Sequence, residues 1–202
     1  MTEPHPIFDA RLDEMEIAVF DLETTGLRSH SERIIQVAVV HVTANTIDGE
    51  WETFVNPGED FLPLKPKITE LTGIETDDLT GAPDEAQMMA GLSSFVGDRI
   101  IAGHNIKFFD IPFVVRAERR TGIDVQTQYY IDTIKLMRRL HPDLGAHTLA
   151  ASADHYGLPF SAADLHNAMV DTRLTAQVML KQIEDLSARG VTTFSEMITF
   201  LS

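Results

Sequence analysis

Ile17-Ala18-Val19-Phe20 is an uninterrupted apolar run that leads straight into Asp21-Leu22-Glu23-Thr24-Thr25-Gly26. A half-buried strand alternates apolar and polar residues. This run does not, and it reads as a strand buried on both faces that ends in a turn. Such a strand needs a covering layer on each side. The rest of the chain supplies the layers. Arg33 to Val42, rich in Ile and Val, reads as a second strand, and the alternating Trp51 to Val55 as a third. Helical patterns follow at 67–73 and 84–96. Ile100-Ile101-Ala102-Gly103 reads as a short apolar strand. Asp110 to Arg120 then reads as a helix with Pro112 in its first turn, and Tyr129-Tyr130-Ile131 as a last short strand. Helices fit 133–141, 147–156, 167–187 and 193–201. Three strands first, then strands mixed with helices, predict an α/β fold with a mixed sheet flanked by helices. The 202 residues suit one compact domain. Residues 1–14 are polar and read as a loose N-terminal arm, and 15–202 as the single domain.

Composition narrows the chemistry. The chain has no cysteine, which excludes disulfides, thiolate metal sites and cysteine nucleophiles. No apolar run approaches the length of a membrane span, and the first residues lack the basic-then-apolar pattern of a signal peptide. No membrane association and a cytoplasmic location are therefore expected. The net charge of −15 counts against a nucleic-acid partner, whose footprint is usually basic. Some acids, such as Glu59-Asp60 and Glu75 through Asp78, read as solvated surface. Others fall into clusters that cations would neutralise.

Three clusters carry chemistry. In Asp21-Leu22-Glu23, positions i and i+2 of a strand point to one face, so both carboxylates project together from the end of a buried strand. Two close, desolvated anions repel, and a hard divalent cation with oxygen ligands relieves both problems. A lone Asp-x-Glu is a weak signal. Here Thr24-Thr25-Gly26 follows, a tight turn whose backbone N–H groups are free to meet a ligand. The second cluster is His104-Asn105-Ile106-Lys107-Phe108-Phe109-Asp110, where a buried strand hands over to a helix. Asp110 stands at the helix start, favoured by the helix dipole; taken alone it reads as an ordinary N-cap, and Asn105 as a turn residue. The third is His166-Asn167-Ala168-Met169-Val170-Asp171. Asn167 caps a helix on which Asp171 shares a stripe with Leu174 and Val178. A carboxylate on an apolar stripe needs a partner. His166 stands just before that helix, within reach of the same site.

The ordered set Asp21, Glu23, Asp110, His166 and Asp171 resembles the DnaQ-like DEDDh 3′→5′ exonucleases of the RNase H-like superfamily. The opening motif Phe20 to Leu27 matches without a break. His104-Asn105 through Asp110 matches the second motif, and His166 with Asp171 the third. Ile68-Thr69-Glu70-Leu71-Thr72-Gly73-Ile74 and Asp132-Thr133 agree with segments of the same family. The resemblance covers about residues 15–185. The second motif carries one residue more than in proofreading subunits of the common type. Asp110-Ile111-Pro112-Phe113 looks more like animal repair exonucleases or family B polymerases. With no tail resembling a polymerase-binding segment, dedicated proofreading is less favoured.

The resemblance implies an RNase H-like fold and two-metal hydrolysis of phosphodiester bonds at the 3′ end of DNA or RNA, with Mg²⁺ or Mn²⁺ ions about 3.5–4 Å apart. It implies that Asp21 bridges both ions, that Glu23 and Asp171 hold the one that activates water, and that Asp110 serves the second. It makes His166 the general base, since an imidazole pKa near ~6.5 suits proton removal close to neutrality. Thr24, Thr25, Gly26, Leu27, Thr72 and Asn105 become substrate contacts alongside His166, with Leu27 packing against the terminal base. The partner is a nucleic acid with a free, single-stranded 3′ end, and a homodimer is compatible. Arg116, Arg119 and Arg120 share one helix face, and Arg138 and Arg139 sit on the next. Either group reads as a phosphate track or as a solvated basic face. Asp132 reads as an N-cap, Met88 and Met89 as core, and His147 has no assigned role. Two rival readings fit less well. A non-catalytic nucleic-acid-binding module would have lost a motif acid, and none is lost. A phosphatase of the haloacid dehalogenase type wants Asp where Glu23 stands.

Overall fold

In a computed structural model, which describes residues 6–163 and 165–202, five strands form one mixed sheet in the order β3-β2-β1-β4-β5. β1 (Glu16–Thr24) is central. It pairs antiparallel with β2 (Ile34–Thr43) and parallel with β4 (Ile100–Gly103). β3 (Thr46–Phe54) lies on one edge and β5 (Tyr130–Asp132) on the other. The buried strand expected at Ile17 to Phe20 is present and runs further, through Asp21 and Glu23 to Thr24. The helices are α1 (Pro66–Thr72), α2 (Thr76–Leu79), α3 (Glu85–Val96), α4 (Asp110–Thr121), α5 (Thr133–Leu140), α6 (Leu149–His155), α7 (Ala168–Ala188) and α8 (Phe194–Phe200).

Alternation along β1 divides the core in two. Ile17 and Val19 face Leu136, Met179, Ile183 and Phe194 on α5, α7 and α8. Ala18, Phe20 and Leu22 face Met88, Met89 and Leu92 of α3 and Phe113 and Val114 of α4. Both faces of β1 are thus covered by helices, as the continuous apolar run requires. Asp21 and Glu23 share the parity of Ile17 and Val19, so they point toward the α7 side. A smaller cluster of Ile35, Leu64, Ile74 and Leu79 holds the α1–α2 lobe to the sheet.

Two expectations need correction. The N-terminal arm is not loose where it is described. Pro6–Asp9 forms a 3-10 turn, Arg11 bridges to Thr193, and Leu12 N–H donates to the Thr192 carbonyl at 2.8 Å. Ile7, Phe8 and Ala10 pack on the α7–α8 core, where Leu12 and Met15 are buried, so scattered apolar residues in a polar stretch suffice to dock it. Residues 1–5 lie outside the described residues. Secondly, β3 begins at Thr46 rather than Trp51, because Ala44 and Asn45 adopt left-handed backbone (φ 47° and 63°) and close a two-residue hairpin onto β2. The acidic stretch Glu75 to Asp78 is exposed surface as expected, and it also starts a short helix in which Asp78 Oδ2 accepts from the Glu75 N–H at 2.8 Å.

Phe8 meets Tyr129 and Phe194 at ring-centroid distances of 5.7 and 6.1 Å. Phe8→Ala is expected to destabilise the domain by roughly 1–3 kcal/mol, read as a lower urea midpoint. An unchanged midpoint would show that the arm contributes nothing to the folded state.

Candidate active site

The carboxylates gather at the end of β1. Asp21 is partly exposed and Glu23 buried. Asp171 enters from the first turn of α7. Its helix is capped as expected, with Asn167 Oδ1 accepting from Val170 N–H at 3.2 Å. Leu174 and Val178, on the stripe below, are buried with Ala153 of α6. Asp110 opens α4 and is only 1% exposed, which sets it apart from a solvated N-cap.

His166 reaches the same place at some backbone strain. Its φ is +69°, a left-handed conformation that costs a non-glycine residue about 1–3 kcal/mol. Its N–H donates to Asp171 Oδ2 at 3.0 Å, which ties the loop to the helix it precedes. Glu23, His166 and Asp171 each present a potential ligand atom within 4.8 Å of the other two.

The electrostatics are those of an unneutralised cluster. Burial, with the charges of Asp110, Glu23 and Asp171, pushes the Asp21 carboxyl well above the usual range. Burial first, and then Asp171 and Asp110, raise Glu23 to about 8. Burial raises Asp110 to about 8 against the pull of the Asp110 and Leu22 backbone amides. Burial also raises Asp171. Among the described residues none of these four is ion-paired to Lys or Arg. Asp110 Oδ1 and Asp171 Oδ1 are buried with no hydrogen-bond donor. Orphaned carboxylate oxygens in an oxygen-rich set fit a hard divalent cation.

The second motif is held by a residue whose wider role the sequence did not reveal. Asp132, 4% exposed, caps α5 as expected, with Oδ1 accepting from Ile134 N–H at 3.1 Å. It also accepts from Asn105 N–H at 3.1 Å and Lys107 N–H at 3.3 Å. One buried carboxylate therefore fixes the loop that delivers Asp110. Asn105 itself is a turn residue, with φ +64° and a carbonyl accepting from Phe108 and Phe109 N–H at 3.1 Å. The adjacent Thr133 hydroxyl meets the Gly103 carbonyl at 3.3 Å and His104 Nδ1 at 2.9 Å. Gly103 lies close to its neighbours: a Cβ there would stand 3.0 Å from the Phe20 carbonyl and from Ile106, so a side chain would force them apart by a few tenths of an ångström. β4 is thereby pressed against the strand that carries Asp21.

The expected substrate contacts divide. Leu27 is 84% exposed and available. Thr24 donates its hydroxyl to the Gly26 carbonyl at 2.8 Å. Thr25 donates to Glu32 Oε2 at 2.5 Å and accepts from Arg33 N–H at 3.0 Å, while its own N–H goes to the Arg33 carbonyl at 2.9 Å. The Thr72 hydroxyl joins the Ile68 carbonyl at 3.0 Å and the Ile74 N–H at 3.1 Å. These hydroxyls all take part in holding their turns and helix end. Leu71, Thr72, His166 and Asn167 nevertheless line one cleft of about 380 Å³. The arginines also divide. Arg120 forms a two-pronged pair with Glu85 at 2.6 Å, and Arg139 donates to the Phe200 carbonyl at 2.9 Å, so both serve the scaffold. His147 does too, meeting the His141 carbonyl at 3.1 Å.

A family model described as exonuclease, of the RNase T type, matches residues 18–179. The PolC-type DNA polymerase III of Staphylococcus saprophyticus is 35% identical over 194 residues, which is 96% of this chain and 13% of that protein. Its counterpart in Staphylococcus haemolyticus is 34% identical over the same shares. The chain thus spans about an eighth of the length of these relatives. Exonuclease I of E. coli, solved with a dT13 oligonucleotide, superposes with a TM-score of 0.76 at 20% identity, covering 88% of this chain and 43% of that one. That likeness bears on the fold, and the fold agrees with the RNase H-like expectation. Both Staphylococcus relatives are PolC-type DNA polymerases III. Among the described residues, no helix is long and apolar enough to cross a membrane.

The raised carboxyls set a pH dependence. Glu23 and Asp110 ionise near 8 when folded, against about 4 for ordinary carboxyls. Their protonated forms therefore favour the folded state, and that stability is lost as pH rises from about 4 through 8. With chelator present, the melting temperature is expected to fall between pH 5.5 and 8.5, and Mn²⁺ should largely remove the slope. Calorimetric melting of the wild type and Glu23→Gln checks this. A slope unchanged by Glu23→Gln would place its origin elsewhere.

Proposed function

The chain belongs to the exonuclease family, and from that premise we propose that it removes nucleotides from the 3′ end of a nucleic acid, releasing nucleoside 5′-monophosphates. The observation that carries this reading is the convergence of Asp21, Glu23, Asp110 and Asp171, unneutralised, beside an accessible His166. A binding module has no use for a buried cluster of that kind.

Divalent cations, Mg²⁺ or Mn²⁺ and two in number, would steady the attacking and leaving oxygens and ease proton loss from water. Asp21 would hold both, Glu23 and Asp171 one, and Asp110 the other. His166 takes the proton from water as its oxygen bonds to phosphorus. The P–O3′ bond breaks, and the departing 3′ oxygen is protonated from solvent. Leu27 supplies an apolar surface for the terminal base, and the cleft by Thr72 receives its sugar. Single-stranded DNA is the substrate supported by the exonuclease I neighbour that was solved with dT13. A second reading, removal of misincorporated nucleotides beside a polymerase, is favoured by the 35% identity to PolC-type DNA polymerase III. Faster digestion of a primer with a mismatched 3′ terminus than of a matched one would support it.

Two results are expected. A 5′-labelled single strand should shorten into a ladder, chelator should stop the reaction, and added Mg²⁺ or Mn²⁺ should restore it. Release of labelled mononucleotide at the first time point would contradict the direction. Secondly, His166→Ala should slow turnover by a factor of about 10²–10⁴ with metal affinity nearly unchanged, whereas Asp21→Ala should lose both. Calorimetric metal titration alongside rate measurement separates them, and equal loss of metal binding in both variants would remove His166 from the role of base.

A further inference from the structure

We propose that Glu32 is a positioning residue that sets the width of the slot for the 3′-terminal nucleotide. It does so by clamping the turn that carries Leu27 to the helix that carries Leu71 and Thr72. This rests on the exonuclease reading and adds to it a residue that no motif includes.

The geometry is specific. The Glu32 side chain is 17% exposed, and its two oxygens serve two different segments. Oε2 accepts from the Thr25 hydroxyl at 2.5 Å, and Oε1 from Lys65 Nζ at 2.9 Å. Gly26 lies against the same carboxylate. A Cβ on it would stand 2.9 Å from Glu32 Cδ and Oε1, so a larger residue there would displace the carboxylate. Lys65 immediately precedes α1, with Pro66 at the first helical position, so a pull on Lys65 is a pull on the whole helix. At the far end of α1, Leu71 and Thr72 line the cleft shared with His166.

Stability alone does not account for this arrangement. Exposed ion pairs contribute about 0–1 kcal/mol, and Lys65 is 66% exposed. The α1–α2 lobe already has its own apolar attachment through Ile35, Leu64, Ile74 and Leu79. That attachment is apolar, whereas the Glu32 carboxylate makes a polar link between the lobe and the Leu27 turn. Burial alone would raise the Glu32 carboxyl, but hydrogen bonds from Thr25 and Lys65, with the charges of Lys65 and Arg28, hold it below the usual range. It stays ionised wherever the site works. None of its contacts is to the carboxylate cluster, so its influence passes through position.

The test uses Glu32→Gln, Lys65→Met and Leu27→Ala in the full chain on a 5′-labelled oligothymidylate. Glu32→Gln is expected to raise KM about tenfold, the scale of one lost hydrogen bond to a charged group, with kcat within about twofold and calorimetric Mn²⁺ affinity unchanged. Lys65→Met, which leaves Thr25 paired, should raise KM less and keeps the inference testable if Glu32→Gln folds poorly. Because Glu32 acts through Leu27, its effect should shrink in a Leu27→Ala background. A folded Glu32→Gln with wild-type KM, additive effects with Leu27→Ala, or a parallel fall in metal affinity would overturn the inference. A wild-type chain that leaves the strand intact would instead overturn the exonuclease reading itself.

Discussion

Four carboxylates meet at the end of β1, and their mutual repulsion in a poorly solvated place is the constraint to which the rest of the structure answers. Left alone, such groups would take up protons or move apart. Here they cannot move apart. Asp21 and Glu23 are locked by pairing of β1 on both sides. Asp171 is held by a capped helix of 21 residues whose stripe is buried on the sheet and on α6. Asp110 is delivered by a loop whose amides are tied to Asp132. The response left to the cluster is protonation or cation binding, which is why the raised carboxyls and the fit for a hard cation are one property. Cation binding is correspondingly linked to folding stability.

The same logic resolves the conflict between a net charge of −15 and a polyanionic substrate. Ordinary nucleic-acid binders attract phosphate with a broad basic surface. In this chain Arg120 and Arg139 are engaged by the scaffold, and Arg173 pairs with Glu50. On the proposed reading, attraction to a strand end would be largely local, supplied by cations held in the cluster and by apolar contact at Leu27. On the same reading, an acidic exterior would disfavour binding along the length of a strand and favour engagement at its end.

Much of this was legible in the sequence because it rests on short-range periodicity. The apolar run at Ile17 located the central strand, the i, i+2 spacing located the paired acids, and Asn167 announced the start of α7. What stayed hidden depends on contacts between distant residues. Asp132 lies 27 positions beyond Asn105, and nothing local distinguishes a carboxylate that caps one helix from one that also holds a loop. Thr24, Thr25 and Thr72 carry hydroxyls that suit a ligand, and nothing local shows that each is also bonded within the protein, Thr25 to Glu32 seven residues on. The left-handed backbone of His166 is equally invisible, since histidine gives no glycine-like signal for it. The arm was misjudged because Ile7, Phe8 and Leu12 follow neither strand nor helix period, yet each has somewhere apolar to go.

The two cores explain how these pieces stay in register. Asp171 rides on the face of the sheet packed by α5, α7 and α8, while Asp110 starts a helix packed on the other face with Phe20 and Leu22. Acids from opposite layers can meet only around the end of β1, and their spacing is then set by how closely β4 lies beside β1. Gly103 supplies that closeness, and Thr133 and Asp132 bind the strand end to the helix that follows it. Gln182 of α7 donates to the Thr133 carbonyl at 2.9 Å, so the helix that carries Asp171 is anchored to the residue beside the one that fixes the Asp110 loop. A single chain of contacts therefore runs from α7 through Thr133 and Asp132 to Asp110, joining the two halves of the cluster without passing through the carboxylates themselves. Separation of scaffold from reacting groups lets the acids change protonation or bind cations while their spacing stays the same.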